Sequence, residues 1–66
     1  MAGNTRGKLK EQFEGIHNNY SWALTHMERA LVIIKEHKPE LSDSIAAMAE
    51  ETQTLDKLAQ GIYSKL

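Results

Sequence analysis

The chain has 66 residues, no cysteine, and eight basic against nine acidic residues, for a net charge of −1. That excludes disulfides and thiolate metal sites, and it excludes a global field that would draw the chain to nucleic acid. A monomer of this length buries only about 60% of the surface its unfolded chain exposes, and a core this small rarely contributes more than ~3 to 5 kcal/mol, so association or unusually good helix packing is expected.

The opening "MAGNTRGKLK" is basic, with no apolar segment behind it, so no secretory signal is expected. The longest apolar run, Ala30 to Ile34, is far below the ~20 residues that span a bilayer, and the expectation is a cytoplasmic protein with no membrane contact. Asn4 or Thr5 is the expected N-cap of a first helix, with Gly3 and Gly7 weakening its start.

From Leu9 the apolar positions run Leu9, Phe13, Ile16, Tyr20, Ala23, Met27, Ala30 and Ile34, in alternating steps of four and three. This heptad predicts a helix over about 5–37. With Tyr20 at position a, Leu24 and Leu31 fall at e and widen the seam. His17 also falls at e, where burial against Glu14 or a partner's acid would let it respond to pH.

Trp22, the only tryptophan, falls at c, with Val32 at f and Ile33 at g. The helix is thus apolar nearly all round, a pattern of burial on more than one side and of an inner element in an assembly. Phe13, Ile16, Tyr20, Leu24, Met27, Leu31, Ile33 and Ile34 are the expected oligomer contacts. Asn18, Asn19, His26 and Arg29 surround Trp22, placing amides, an imidazole and a guanidinium beside an indole. Trp22 is read first as an oligomer contact, and the group also suits a different partner, a protein or a planar anionic ligand of nucleotide type stacked on the ring and held by the cation. Gly15 shares the c column with Trp22 and would let something approach the backbone.

The only proline, Pro39, disfavours helical geometry at Lys38 and suits the first position of a new helix, so a turn is expected at about 37–39. A second heptad follows through Leu41, Ile45, Met48, Thr52, Leu55, Ala59, Ile62 and Leu66, predicting a helix over about 39–66. Glu40 and Asp43 favour its N-terminal dipole, as Lys35 and Lys38 favour the C-terminus of the first helix. Thr52, with the register's one polar side chain, bonds the carbonyl one turn back or helps set register. Ala47, Thr54 and Gly61 form a small-residue strip at c.

Residues 1–38 carry six basic and four acidic residues, and residues 39–66 carry two basic and five acidic, so the halves are +2 and −3. Opposite signs suit two helices lying side by side, though exposed pairs are each worth only tenths of a kcal/mol. The expected fold is all-α: a single domain over 1–66, an antiparallel hairpin about 40 Å long that oligomerises into a four-helix bundle or larger helical assembly.

No nucleophile elbow, glycine-rich phosphate loop or H-E-x-x-H arrangement is present, and His17, His26 and His37 have no metal-ligand spacing. Neither a catalytic residue nor a metal or cofactor is expected, and the chain is read as a non-enzyme. Arg6, Lys8 and Lys10 could contact phosphates, so RNA is a further possible partner, although Glu11 and Glu14 follow at once. In architecture alone the pattern resembles small helical hairpins that regulate RNA and phage-encoded helical oligomers that sequester nucleotide signals. The functional expectation is a small regulatory or interaction protein that acts as a homo-oligomer and binds another macromolecule. A nucleotide-type ligand held between subunits and RNA binding are the alternatives.

Overall fold

A computed structural model describes residues 3–66, with side chains from Thr5 onward. Among these residues the fold is all-helical. Helix α1 runs Gly3–His37, a single 3-10 turn covers Pro39–Leu41, and helix α2 runs Ser42–Tyr63, packed back against α1.

Helix α1 is unbroken because no proline interrupts it and its heptad continues to Ile34. It starts ahead of the expected cap, so Thr5 lies within the helix, and the Asn4 side chain lies outside the described residues. At ~1.5 Å per residue its 35 residues account for the 54 Å long axis, which exceeds the expected 40 Å. The 22 residues of α2 cover only about 33 Å of that length. The first turns of α1 therefore overhang α2.

The turn uses no left-handed residue. The Lys38 N–H still donates to the Ile34 carbonyl at 2.7 Å, but Lys38 itself leaves helical geometry at φ −143°, ψ 61°, as the residue before a proline is driven to do. The second helix does not begin at Pro39 as the sequence suggests. The Leu41 N–H donates to the Lys38 carbonyl at 2.9 Å, three residues back, and the α-helical pattern starts only at Ser42. At the far end Lys65 and Leu66 also donate three residues back, to Ile62 and Tyr63, so α2 closes in a tightened turn rather than reaching Leu66 as an α-helix.

Burial is sparse. Among the described residues only Thr52 and Ala59 are buried, and both occupy position a of α2. The partly covered residues of α2 are Ser42, Ile45, Ala49, Asp56 and Tyr63, which with Leu66 beyond its end are a and e positions. The d column expected in the seam, Leu41, Met48, Leu55 and Ile62, stays about half exposed. On α1 the a column, Phe13, Tyr20, Met27 and Ile34, is partly covered together with Leu24 and Leu31 at e and with Ile16, Ala23 and Ala30 at d. Thr52 satisfies its hydroxyl by donating to the Met48 carbonyl at 2.8 Å, and it meets Met27 Sδ at 3.8 Å across the seam.

Gly15 and Gly61 sit inside helices, where an added Cβ would meet nothing within 4 Å. Glycine there costs up to ~1 kcal/mol relative to alanine. Gly61→Ala is expected to raise the thermal midpoint followed by circular dichroism, by up to ~1 kcal/mol of stability, with unchanged helix packing.

Candidate functional site

Two surfaces of the hairpin carry polar chemistry, and they lie on different sides of α1. The first is the edge where the e columns of both helices meet. His17 Nδ1 lies 2.9 and 3.0 Å from the two carboxylate oxygens of Asp56. An ionised carboxylate only accepts, so Nδ1 carries the proton and donates. Gln60 Nε2 donates to the same carboxylate at 3.1 Å, and its 3.3 Å separation from His17 Nδ1 is then an approach of two donors converging on one acceptor. Among the described residues this is the only histidine–carboxylate contact between the helices.

One turn toward the open end, the Tyr63 hydroxyl donates to Glu14 Oε2 at 2.9 Å, and Lys10 Nζ lies 5.8 Å from the centre of the Tyr63 ring. A groove of about 450 Å³ runs along this edge, lined by Phe13, Glu14, His17, Asn18, Ala59, Gln60 and Tyr63. Apart from Asn18, its polar side chains bond one another or Asp56, so the edge acts as a strap between the helices. The expected acid contact of His17 therefore comes from Asp56 in the same chain, while Glu14 serves Tyr63.

The second surface surrounds Trp22. The indole is 63% exposed, and the His26 ring stacks against it with centroids 6.1 Å apart and planes inclined at 26°. Asn18, Trp22 and Arg29 line one shallow cleft of about 430 Å³ with Ser21 and Thr25. The structure thus brings together four of the five side chains singled out around Trp22. Asn19, one position round the helix, does not line the cleft. Ser21 and Thr25 complete it because they lie between the c and e columns on the Trp22 flank. The Thr25 hydroxyl is committed to the Ser21 carbonyl at 3.1 Å, which leaves the Arg29 guanidinium, the Asn18 amide and the Ser21 hydroxyl as polar side chains of the cleft with no hydrogen bond among the described residues.

Of the expected oligomer contacts, Phe13, Ile16, Tyr20, Leu24, Met27, Leu31 and Ile34 are partly covered within the chain, and Ile33 is 60% exposed. Asp56, Gln60 and Tyr63 were not legible as site residues. The usable signal was that Asp56 and Tyr63 share the e column that an antiparallel partner would turn toward His17 and Lys10. No helix of the described residues is long and apolar enough to cross a membrane, and no three His, Asp or Glu side chains among them converge as metal ligands would. The sequence matches no protein-family model, and neither a curated protein nor a solved structure is detectably similar to it.

The Glu14 carboxylate accepts the Tyr63 hydrogen bond and repels a phenolate, so it holds the Tyr63 hydroxyl above the ordinary tyrosine value of 10.0. A value raised in the folded state means that the strap's contribution is complete below the ordinary value and fades as pH rises through the raised one. Tyr63 ring resonances followed against pH by NMR are expected to titrate above the ordinary value, and Glu14→Gln is expected to bring the midpoint back toward it.

Proposed function

We propose that this chain is a non-enzymatic interaction protein, a homo-oligomer of helical hairpins that presents the Trp22 face to another macromolecule. One observation carries this reading: with only Thr52 and Ala59 buried, large apolar side chains remain exposed on two separate sides of the hairpin. One side holds the exposed d column of α2 beside the partly covered d column of α1. The other holds Trp22 and Val32, together with His26 and Arg29. Isolated exposed hydrophobics are ordinary on a protein surface, but contiguous apolar patches mark contacts. A second copy covers the first side, and the Trp22 side remains for a different partner. Tryptophan and arginine are the residue types that most often dominate binding energy at such contacts.

A second reading is favoured by the Trp22 cleft itself. An indole, a free guanidinium and a free amide in one concavity suit a planar anionic ligand of nucleotide type, held by stacking and by hydrogen bonds from Arg29. The cleft is shallow, so such a ligand would need cover from a neighbouring subunit to be desolvated.

Native mass spectrometry of protein purified gently from its producing cells separates the two. An oligomer mass with Trp22 fluorescence characteristic of a water-exposed indole is expected, and Trp22→Ala should leave that mass unchanged. Retained nucleotide-sized mass that disappears in Trp22→Ala and Arg29→Ala would favour the ligand reading. If Trp22→Ala changes the subunit number, the Trp22 face is an assembly contact and the macromolecular reading fails.

A further inference from the structure

The contacts that close one edge of the hairpin also define what is left open on the other. On a helical wheel, e and d flank position a on opposite sides. His17 and Lys10 at e of α1 meet Asp56 and Tyr63 at e of α2, so both e columns lie on the same edge. Both d columns must then lie on the opposite edge. They form one continuous face: Ile16, Ala23 and Ala30 from α1 beside Met48, Leu55 and Ile62 from α2. Leu58 and Ile33, at g of their helices, border that face and are 63% and 60% exposed.

The cross-helix contacts also set the register. Glu14 meets Tyr63, His17 approaches Gln60, and Met27 meets Thr52. Continued along the helices, this register puts Ile16 level with Ile62, Ala23 level with Leu55, and Ala30 level with Met48. In the two central layers α1 therefore offers a small side chain and α2 a large one.

We propose that a second copy of this chain docks on this face about a two-fold axis parallel to the helices, so that α1 of each copy lies against α2 of the other. This rests on the homo-oligomer reading above and specifies its partner surface and geometry. A rotation about the long axis keeps every layer at its own height. It sets Leu55 of one copy over Ala23 of the other, and Met48 over Ala30, filling each layer with a large and a small side chain. The other face-to-face two-fold, perpendicular to the helices, lays α1 on α1. Alanine then faces alanine and Leu55 faces Met48, leaving voids in one row and crowding in the other.

Charge favours the same arrangement. It places the +2 half of one copy against the −3 half of the other instead of pairing like with like. The two basic overhangs of α1 gather at one end, but on diagonal helices about 14 Å apart, beyond the ~8 Å screening length at physiological salt. The face is about 33 Å long and two helices wide, comparable with the ~800 Å² per partner of a standard stable interface. Trp22, at c, lies outside this seam and remains on the outer surface of the resulting four-helix bundle.

The absence of cysteine makes the test direct. Ala23→Cys and Leu55→Cys are prepared as separate chains, mixed by unfolding and refolding together, and oxidised mildly, with mass measured by sedimentation before oxidation. The expected product is the mixed disulfide that joins one Ala23→Cys chain to one Leu55→Cys chain. It should form at least ~10-fold faster than the mixed product of Trp22→Cys with Leu55→Cys, because docking raises the effective concentration of only the first pair. The pair Ala30→Cys and Met48→Cys repeats the test one heptad away in case either substitution impairs folding. A folded monomer in sedimentation would overturn both this inference and the homo-oligomer reading. A dimer that cross-links Ala23→Cys to Ala30→Cys, but neither small-to-large pair, would overturn the geometry proposed here and leave the homo-oligomer standing.

Discussion

The controlling constraint is that each helix carries more apolar circumference than one neighbour can cover. On α2 the a and e columns turn inward, and the d column remains about half exposed. On α1 the apolar positions continue past the seam through Ile33 to Trp22. A pair of helices buries only the strip where they touch, so widening the apolar arc adds uncovered surface and leaves the core as it was. Two buried residues in the described chain follow directly from that geometry, as do the two exposed apolar sides. Neither the alanines nor Thr52 can compensate, since small side chains bring the helices close without supplying much area.

The polar strap determines which side is left open. A bare a/d repeat is symmetric enough that either flank of position a could turn inward. The His17–Asp56 pair and the Tyr63–Glu14 bond, both between helices, fix the e edge as the closed one. Exposed pairs of this kind add little stability, roughly 0 to 1 kcal/mol. Their consequence is orientational: closing the e edge leaves the d columns together on the other. The same rotation sends Trp22 to the back of α1, away from both edges, where among the described residues only His26 stacks on it.

Much of the fold was legible in the chain. Alternating steps of three and four from Leu9 and again from Leu41 mark two helices, and Pro39 marks the turn between them, because both signals are local. The position of Trp22 outside the seam followed from its place in the heptad, whereas the covering expected for it is not supplied within the chain. What was not legible depends on pairing. Asp56 reads as an ordinary surface acid until α2 is laid antiparallel to α1 in the right register, and the d column of α2 reads as seam until the rotation of that helix is known. The 3-10 turn at Pro39–Leu41 depends on how the proline ring and Lys38 accommodate each other, which residue identity alone does not specify. Around Trp22 the c-column neighbours were visible from spacing, while Ser21 and Thr25 entered only once the surface had a shape.

The most direct test of the whole account is helix content by circular dichroism measured on serial dilution, alongside mass by sedimentation equilibrium on the same samples. If the core is completed only by a second copy, helix signal and dimer mass should fall together as concentration decreases, because folding and association are then one equilibrium. Full helix content in a sample that is monomeric by mass would contradict it, since the hairpin would then be stable with both of its apolar sides uncovered.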